Sequence, residues 1–478
     1  MTSVQNLRQP LSGNKWILIP LLLTGLCGCG SARYTTGQDY TPIITTPIEN
    51  TQTDKGETDS GQPAQQEAVA IIETSKSAKE QFDPKGESFG TLSSKKLEMR
   101  YKTFDVPSSI AKDTYTIALI LPFQLGKVPN TVSDPRTVTF TTATKIAAEF
   151  YQGAQKALDS LKTLPLNLKV YILDADSDTG VGKSLLTQPP FPAVDLIIGP
   201  VYNSNLRIYA QYALEHKIPI ISPLSSSASI TQKNPYYFSA NATARTHYYT
   251  ILNRILQDEP AASLWVLKGS NSETEETPFA MEVFNEDFAP QFPAAKLNVI
   301  KYIAGDSMLL ARHFSLNRTN HLLIPSYNQS FIQEAMNLTT HVDSLVPLRI
   351  YGTSKWNEYK IDFSVNPFVT IYITNSYYNN ANNTFARNYR EMYEEENRRY
   401  PSEYTEQGFD LLWYIGNLLS TGDFFSGIEQ GKTVTDHLQT EFSFAPVYTK
   451  EDPMEIDYFD NKFVHWLFYS QGKFIKAW

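Results

Sequence analysis

The chain has 478 residues, 41 Lys and Arg against 50 Asp and Glu, a net charge of −9, and two cysteines. That length accommodates one large or two medium domains with accessories, and an acidic balance without a basic block disfavours nucleic acid, whose phosphates require clustered cations. Cys27 and Cys29 both fall at the N-terminus, so the rest of the chain holds no internal disulfide, cysteine-ligated zinc or thiolate nucleophile.

Arg8 and Lys15 precede the apolar run Trp16 to Leu23, which continues to Leu26-Cys27-Gly28-Cys29. The pattern reads as a signal peptide over residues 1–28, and the run, interrupted by Pro20, falls short of the ~20 residues a spanning helix needs. Its end resembles the bacterial lipobox, with an aliphatic residue three before the modified cysteine and a small one just before it. That resemblance implies lipidation at Cys29, the alternative being an ordinary signal peptide with two incidental cysteines. Acyl chains contribute roughly 0.8 kcal/mol per buried methylene, enough to tether the protein to a membrane without spanning it.

Residues 29–114 are expected to form a disordered linker. From Thr41 to Gln81 there is no aromatic residue, leaving too little apolar surface to offset ordering entropy. A flexible chain of that length spans on the order of 50 Å. Leu97 to Phe104 alternates in a strand-like way.

From Tyr115 onward strands and helices alternate. Tyr115 to Pro122 is a nearly continuous apolar run, as in a strand covered on both faces. Ile146, Phe150, Ala154, Leu158 and Leu161 recur at helical spacing. Further strands are expected at Leu168–Leu173, Val194–Pro200 and Ile218–Pro223, with a helix at Asn205–His216. The pattern restarts with strands at Ser263–Leu267, His321–Ser326, Leu348–Gly352 and Phe368–Thr374 and a helix at Pro278–Phe288. Helices at Thr384–Tyr400 and Tyr404–Leu419 and a terminal hairpin at residues 463–475 follow. The expected fold is α/β, two Rossmann-like lobes with parallel sheets joined by a hinge. Lobe 1 is expected at about residues 115–245 and 378–440, and lobe 2 at about 246–377 and 441–478.

Two consecutive strands finish in Gly199-Pro200-Val201-Tyr202-Asn203-Ser204 and Ser222-Pro223-Leu224-Ser225-Ser226-Ser227. In this order and spacing the chain from Tyr115 to Trp478 resembles the type I periplasmic binding proteins, particularly the leucine/isoleucine/valine-binding branch. The resemblance implies that a small ligand is enclosed in a cleft between the lobes. It places the carboxylate-gripping hydroxyl at Ser204, with Tyr202 and Asn203 beside it, a backbone contact at Leu224, and a hydroxyl donor at Ser226 beside Ser225. Hydroxyls and backbone N–H groups at such turns bind an anion without a buried countercharge. The alternative role for these residues is capping of the helices that follow.

The second lobe departs from that family. Its aromatic clamp should fall near Gly269-Ser270-Asn271-Ser272, where no aromatic stands, and its amine-pairing acid near Tyr351 to Trp356, where Lys355 stands and no acid precedes Glu358. A standard α-amino acid is therefore disfavoured as ligand. Trp356 has two readings, a stacking surface or packed core.

No catalytic residue, metal site or cofactor is expected: the seven histidines are scattered, Asp174, Asp176 and Asp178 lack the Gly and Glu of a calcium loop, and no phosphate or dinucleotide glycine motif appears. The chain is not expected to be an enzyme. It reads as a lipid-anchored periplasmic solute-binding protein serving ABC-type uptake or sensing, its partners a small polar ligand, the membrane and transporter membrane subunits. The alternative is an envelope regulator that docks a peptidoglycan synthase, resembling the lipoprotein activators of penicillin-binding proteins.

Overall fold

The computed structural model describes residues 70–74, 111–127, 139–175, 177–269 and 276–477. The signal peptide, Cys29, most of the linker, the Leu97–Phe104 segment and most of the 269–272 loop lie outside the described residues. Among the described residues no helix is long and apolar enough to cross a membrane.

The chain divides into two units. Unit 1 comprises residues up to Asn241 together with Asn379–Asp460, and unit 2 comprises Ala242–Tyr378 and Asn461–Trp478.

Unit 1 is built on β1 (Ala70–Thr74), β2 (Tyr115–Leu121), β3 (Leu168–Asp174), β4 (Leu196–Ile198), β5 (Ile220–Ser222), β6 (Tyr237–Ser239), β12 (Phe444–Tyr448) and β13 (Ile456–Asn461). They form one sheet in the order β1-β3-β2-β4-β5-β6-β13-β12. The ladder from β3 to β13 is parallel, and β1 joins it antiparallel. Its helices are α1 (Thr142–Leu161), α2 (Thr179–Leu186), α3 (Asn203–His216), and, after the excursion through unit 2, α7 (Thr384–Asn397), α8 (Glu403–Leu419) and α9 (Phe424–Glu429).

The continuous apolar character of β2 follows from helices on both faces. Ile117, Leu119 and Leu121 pack with Phe150, Leu158, Phe409 and Leu412 on one side, while Ala118 and Ile120 pack with Leu206, Tyr209 and Ala213 on the other. Alternate residues of a strand point to opposite faces, so a doubly covered strand has no polar positions to show.

Two sequence-based expectations are corrected here. Ala70–Thr74 lies inside the stretch expected to be wholly disordered, yet it is an edge strand of the unit 1 sheet. Lobe 1 was expected to end near residue 440, whereas unit 1 runs to Asp460. The reason is β13, which pairs parallel with β6 through Phe459↔Phe238 and carries β12 with it. Phe459 stacks on Phe238 at 4.6 Å inside the core.

Unit 2 contains α4 (Ala244–Asp258), β7 (Ser263–Lys268), α5 (Thr277–Val283, continuing as a π-turn over Phe284–Phe288), β8 (Lys296–Lys301), β9 (Asn320–Leu323), α6 (Gln329–Thr339), β10 (Leu348–Gly352), β11 (Val369–Asn375), β14 (His465–Ser470) and β15 (Lys473–Lys476). The sheet order is β15-β14-β11-β10-β9-β7-β8, parallel from β8 to β11 and antiparallel through the terminal hairpin. Leu322, Ile350 and Ile371 pack with Ile332 and Met336 on one face; Leu264, Val266 and Leu323 pack with Ile251 and Val283 on the other.

Candidate functional site

In unit 1 the chain passes from β2 to β3 on one side and then to β4 on the other, so the strand order reverses at β2. Helices leaving the carboxyl ends of such strands diverge to opposite faces, which opens a crevice there and makes it the usual place for a ligand in an open α/β sheet. The loop leaving β4 is forced into this position. Gly199 has φ +93, and a Cβ on it would lie 2.3 Å from the Ile120 carbonyl oxygen, so the backbone of β4 exits pressed against the end of β2.

All six of the expected ligand-binding residues sit at the carboxyl ends of β4 and β5, which are hydrogen-bonded neighbours through Ile197↔Ile220 and Ile198↔Ile221. Tyr202 is the N-cap of α3 and makes no side-chain cap bond. Asn203 begins the helix, half-buried, and Ser204 follows, exposed. The Ser204 hydroxyl donates only a long bond to the Ser177 carbonyl, 3.4 Å. The first-turn N–H groups of a helix have no partner within the helix itself, and at α3 no N-cap side chain accepts from them.

The loop after β5 differs from the expected strand-to-helix turn. No helix follows it, and the chain runs through residues 223–236 directly into β6. Helix capping therefore explains neither loop, since Ser204 lies within α3 rather than at its cap and Ser225 and Ser226 precede no helix. Leu224, Ser225 and Ser226 are all half-buried. Leu224 packs on the unit 1 core, and its carbonyl accepts from Asn241 Nδ2 at 3.2 Å. The Ser225 carbonyl accepts from the Ser239 hydroxyl at 3.1 Å, and its own hydroxyl accepts from the Ser227 N–H at 3.2 Å. The backbone of this loop is thus fixed by residues on β6 and just beyond it. The hydroxyl of Ser226 and the carboxamide of Asn203 have no protein partner among the described residues.

Sequence reasoning missed Ser239 and Asn241, which hold the loop, and the role of the strand-ending Asp174 in holding the neighbouring edge. Asp174 ends β3 and accepts from the N–H groups of Gln124 at 2.9 Å and Leu125 at 2.8 Å, fixing the turn after β2. Asp178, the other described member of the aspartate trio, caps α2 by accepting from Gly180 N–H at 2.7 Å. Only the strand-ending position of these acids was a signal.

In unit 2 the corresponding reversal is at β7. The Glu276 carboxylate is satisfied internally. Glu276 donates its N–H to the Pro325 carbonyl at 2.7 Å, and its carboxylate accepts from the hydroxyls of Tyr248, at 2.8 Å, and Tyr327. Burial, then the Glu276 charge, pushes the Tyr327 phenol far above its ordinary range, so it stays a neutral donor. Lys355 pairs with Glu358 at 3.1 Å. Trp356 is core: it is 1 % exposed, stacks on Phe363 at 5.3 Å and donates its indole N–H to the Ser326 carbonyl at 3.3 Å. Among the described residues no group of three or more His, Cys, Asp or Glu side chains is placed to hold a metal ion.

No family model matches the chain, and no curated protein matches it in sequence. Solved structures do. A protein from Rhodospirillum rubrum assigned to branched-chain amino acid ABC transport is 13 % identical with a TM-score of 0.53, covering 76 % of this chain and 100 % of its own. An ABC transporter substrate-binding protein from Desulfitobacterium hafniense is 12 % identical with a TM-score of 0.50 and the same coverages, 76 % and 100 %. The C-domain of LpoA from Haemophilus influenzae, a regulator of PBP1A, is 14 % identical with a TM-score of 0.47, covering 76 % of this chain and 100 % of its own. The first two likenesses establish the fold: residues from about Tyr115 onward adopt the two-unit α/β architecture of the type I periplasmic binding proteins.

Proposed function

We propose that this chain is a lipid-anchored solute-binding protein of the bacterial envelope, tethered through Cys29 on the periplasmic side, and that it takes a small polar ligand at the carboxyl ends of β4 and β5. The observation that carries the reading is the pair of half-buried polar side chains, Asn203 and Ser226, left without protein partners beside a strand-order reversal. Half-exposed side chains with unspent donors on two adjacent strand ends are the complement of a carboxylate or a similarly acceptor-rich group. Tyr202, Ser204, Leu224 and Ser225 complete the proposed contact set.

Calorimetry of the full chain against amino acids, carboxylates and sugars tests this, followed by Ser204→Ala and Ser226→Ala. Each lost hydrogen bond is expected to weaken binding by about 1 kcal/mol, or roughly fivefold. An unchanged affinity in the double variant refutes the site.

A second reading, a docking module for a cell-wall synthase, is favoured by the burial of Trp356 in the core, which removes a stacking surface from unit 2. Crosslinking and pull-down from envelopes separates the two: transporter membrane subunits support solute capture, and a peptidoglycan synthase supports docking.

A further inference from the structure

The strand Ala70–Thr74 occupies a place that nothing in its chain neighbourhood requires. It pairs antiparallel with β3 over five residues, in unbroken register from Ala70↔Ile172 to Thr74↔Leu168, and so covers most of the outer edge of that strand. Forty residues separate its end from the start of β2. A hairpin would hold such a strand by proximity; a connection this long adds closure entropy instead, so the pairing rests on the ladder itself. Without it, β3 would be the edge of the remaining seven strands of that sheet and would present a row of unpaired N–H and C=O groups.

We propose that the outer edge of β3 is a strand-acceptor site, filled in cis by residues 70–74 of the same chain and able to take that sequence back from solution when it is removed. Recognition of this kind runs through main-chain hydrogen bonds, with alternate side chains setting preference. The apolar run Ala68-Val69-Ala70-Ile71-Ile72 is the one aliphatic block in the polar stretch from Thr51 to Gln81, which fits it to be the resident. Two consequences follow for the molecule. Unit 1 begins at Ala70 rather than Tyr115, which shortens the chain available between any N-terminal anchor and the folded head. The acceptor strand also ends at Asp174, whose carboxylate fixes the turn at Gln124 and Leu125, so the strap lies on a strand that shapes the candidate site.

The test is hydrogen exchange read by mass spectrometry on three full-length proteins: the natural chain, a deletion of residues 70–74, and the double variant Ile71→Pro and Ile72→Pro. Successive N–H groups of a strand face opposite sides, so two adjacent prolines remove one bond to β3 whichever way the strand is phased. The amides of β3 that face the strap are expected to exchange at least tenfold faster in both variants while the rest of unit 1 keeps its protection. A synthetic peptide of residues 66–78 added to the deletion protein is expected to restore slow exchange. Unchanged exchange in β3 overturns the proposal, as does loss of protection throughout unit 1, which would make the strand an integral part of the core. Failure of the peptide to restore protection overturns the acceptor site. A natural protein that is dimeric by light scattering and becomes monomeric on deletion overturns the cis assignment in favour of a second copy.

Discussion

Gly408→Ala is expected to destabilise unit 1 by about 2 kcal/mol, as the balance of two opposed effects. Helices α1 and α8 meet backbone to backbone: a Cβ on Gly408 would lie 2.1 Å from the Phe150 carbonyl oxygen, and one on Gly153 would lie 1.7 Å from the Thr405 carbonyl oxygen. Neither obstacle is a side chain that can rotate away. Restoring an ordinary carbon–oxygen contact of about 3.2 Å requires the helices to part by roughly 1 Å, and overpacking of a close-packed core costs about 3 kcal/mol at the upper end of its usual range. Replacing glycine by alanine inside a helix returns about 1 kcal/mol of backbone entropy. The net loss should lower the midpoint of thermal unfolding by roughly 4–8 °C for a unit of this size. Two neighbouring substitutions calibrate the result. Gly416→Ala meets only the Leu161 side chain, at 2.3 Å, which can shift, and should cost less; Gly422→Ala has nothing within 4 Å and should be nearly neutral. Circular dichroism melts and urea titrations of the three variants would rank them, and a Gly408→Ala protein as stable as Gly422→Ala would refute the inference of a backbone-tight helix crossing.

Arg390→Met should cost about 3–5 kcal/mol, because it strands the Glu406 carboxylate, which is 2 % exposed and receives both the Arg390 Nε and Nη2 donors. Burial already raises the Glu406 carboxyl above its ordinary 4.5, against the pull of Arg390; losing the arginine raises it further, so the native variant holds a proton that the unfolded chain releases. Its stability should therefore recover as the pH falls toward 4.5 and be lost as the pH rises, in urea titrations across that range. His321 gives the opposite slope. It is fully buried, its Nδ1 2.9 Å from the Tyr351 hydroxyl and its Nε2 3.3 Å from Glu259, with Arg349 and Asp258 the other charges acting on it. Burial pushes its imidazole below the ordinary 6.5, with Glu259 opposing. The unfolded chain thus takes up its proton first, so this stability is complete above 6.5 and declines as the pH falls below it. Melting midpoints of His321→Gln should show a shallower decline over that interval than those of the natural protein; parallel curves would remove His321 from the account.

The strands that were legible in the sequence are those whose environment is simplest. Tyr115–Leu121 lies in the middle of its sheet, covered on both faces, and its apolar run states as much. The three-residue strand Tyr237–Ser239 carries too few positions to show a period, and its place beside β5 is set by ladder partners rather than by its own residues. Ala70–Thr74 was overlooked for a different reason: composition averaged over Thr41–Gln81 hid a five-residue aliphatic block whose partner lies about a hundred residues further along. At the candidate site the hydroxyl-rich loops were visible as residues following strands. What was not visible was their state of satisfaction, because Ser225 is tied down through Ser239 and Leu224 through Asn241, contacts that exist only once β5 and β6 lie side by side. The two readings of Trp356 were likewise separable only in three dimensions, by Phe363 beneath its ring and Gly352 against its face.

The contrast between the two carboxyl edges bears on the class of ligand. In unit 1 the residues brought together are donors or neutral groups, and Asn203 and Ser226 keep hydrogen-bonding capacity unspent. In unit 2 the Glu276 carboxylate already accepts two tyrosine hydroxyls. Drawing Glu276 to an ammonium group would require breaking those bonds and leaving the phenols of the buried Tyr248 and the half-buried Tyr327 to be satisfied elsewhere, a cost of about 1–3 kcal/mol for each group left unpaired. Under the proposed solute-binding reading, a ligand held at unit 1 through carboxylate or hydroxyl acceptors draws on the unspent groups of Asn203 and Ser226 and leaves the bonds of Glu276 intact.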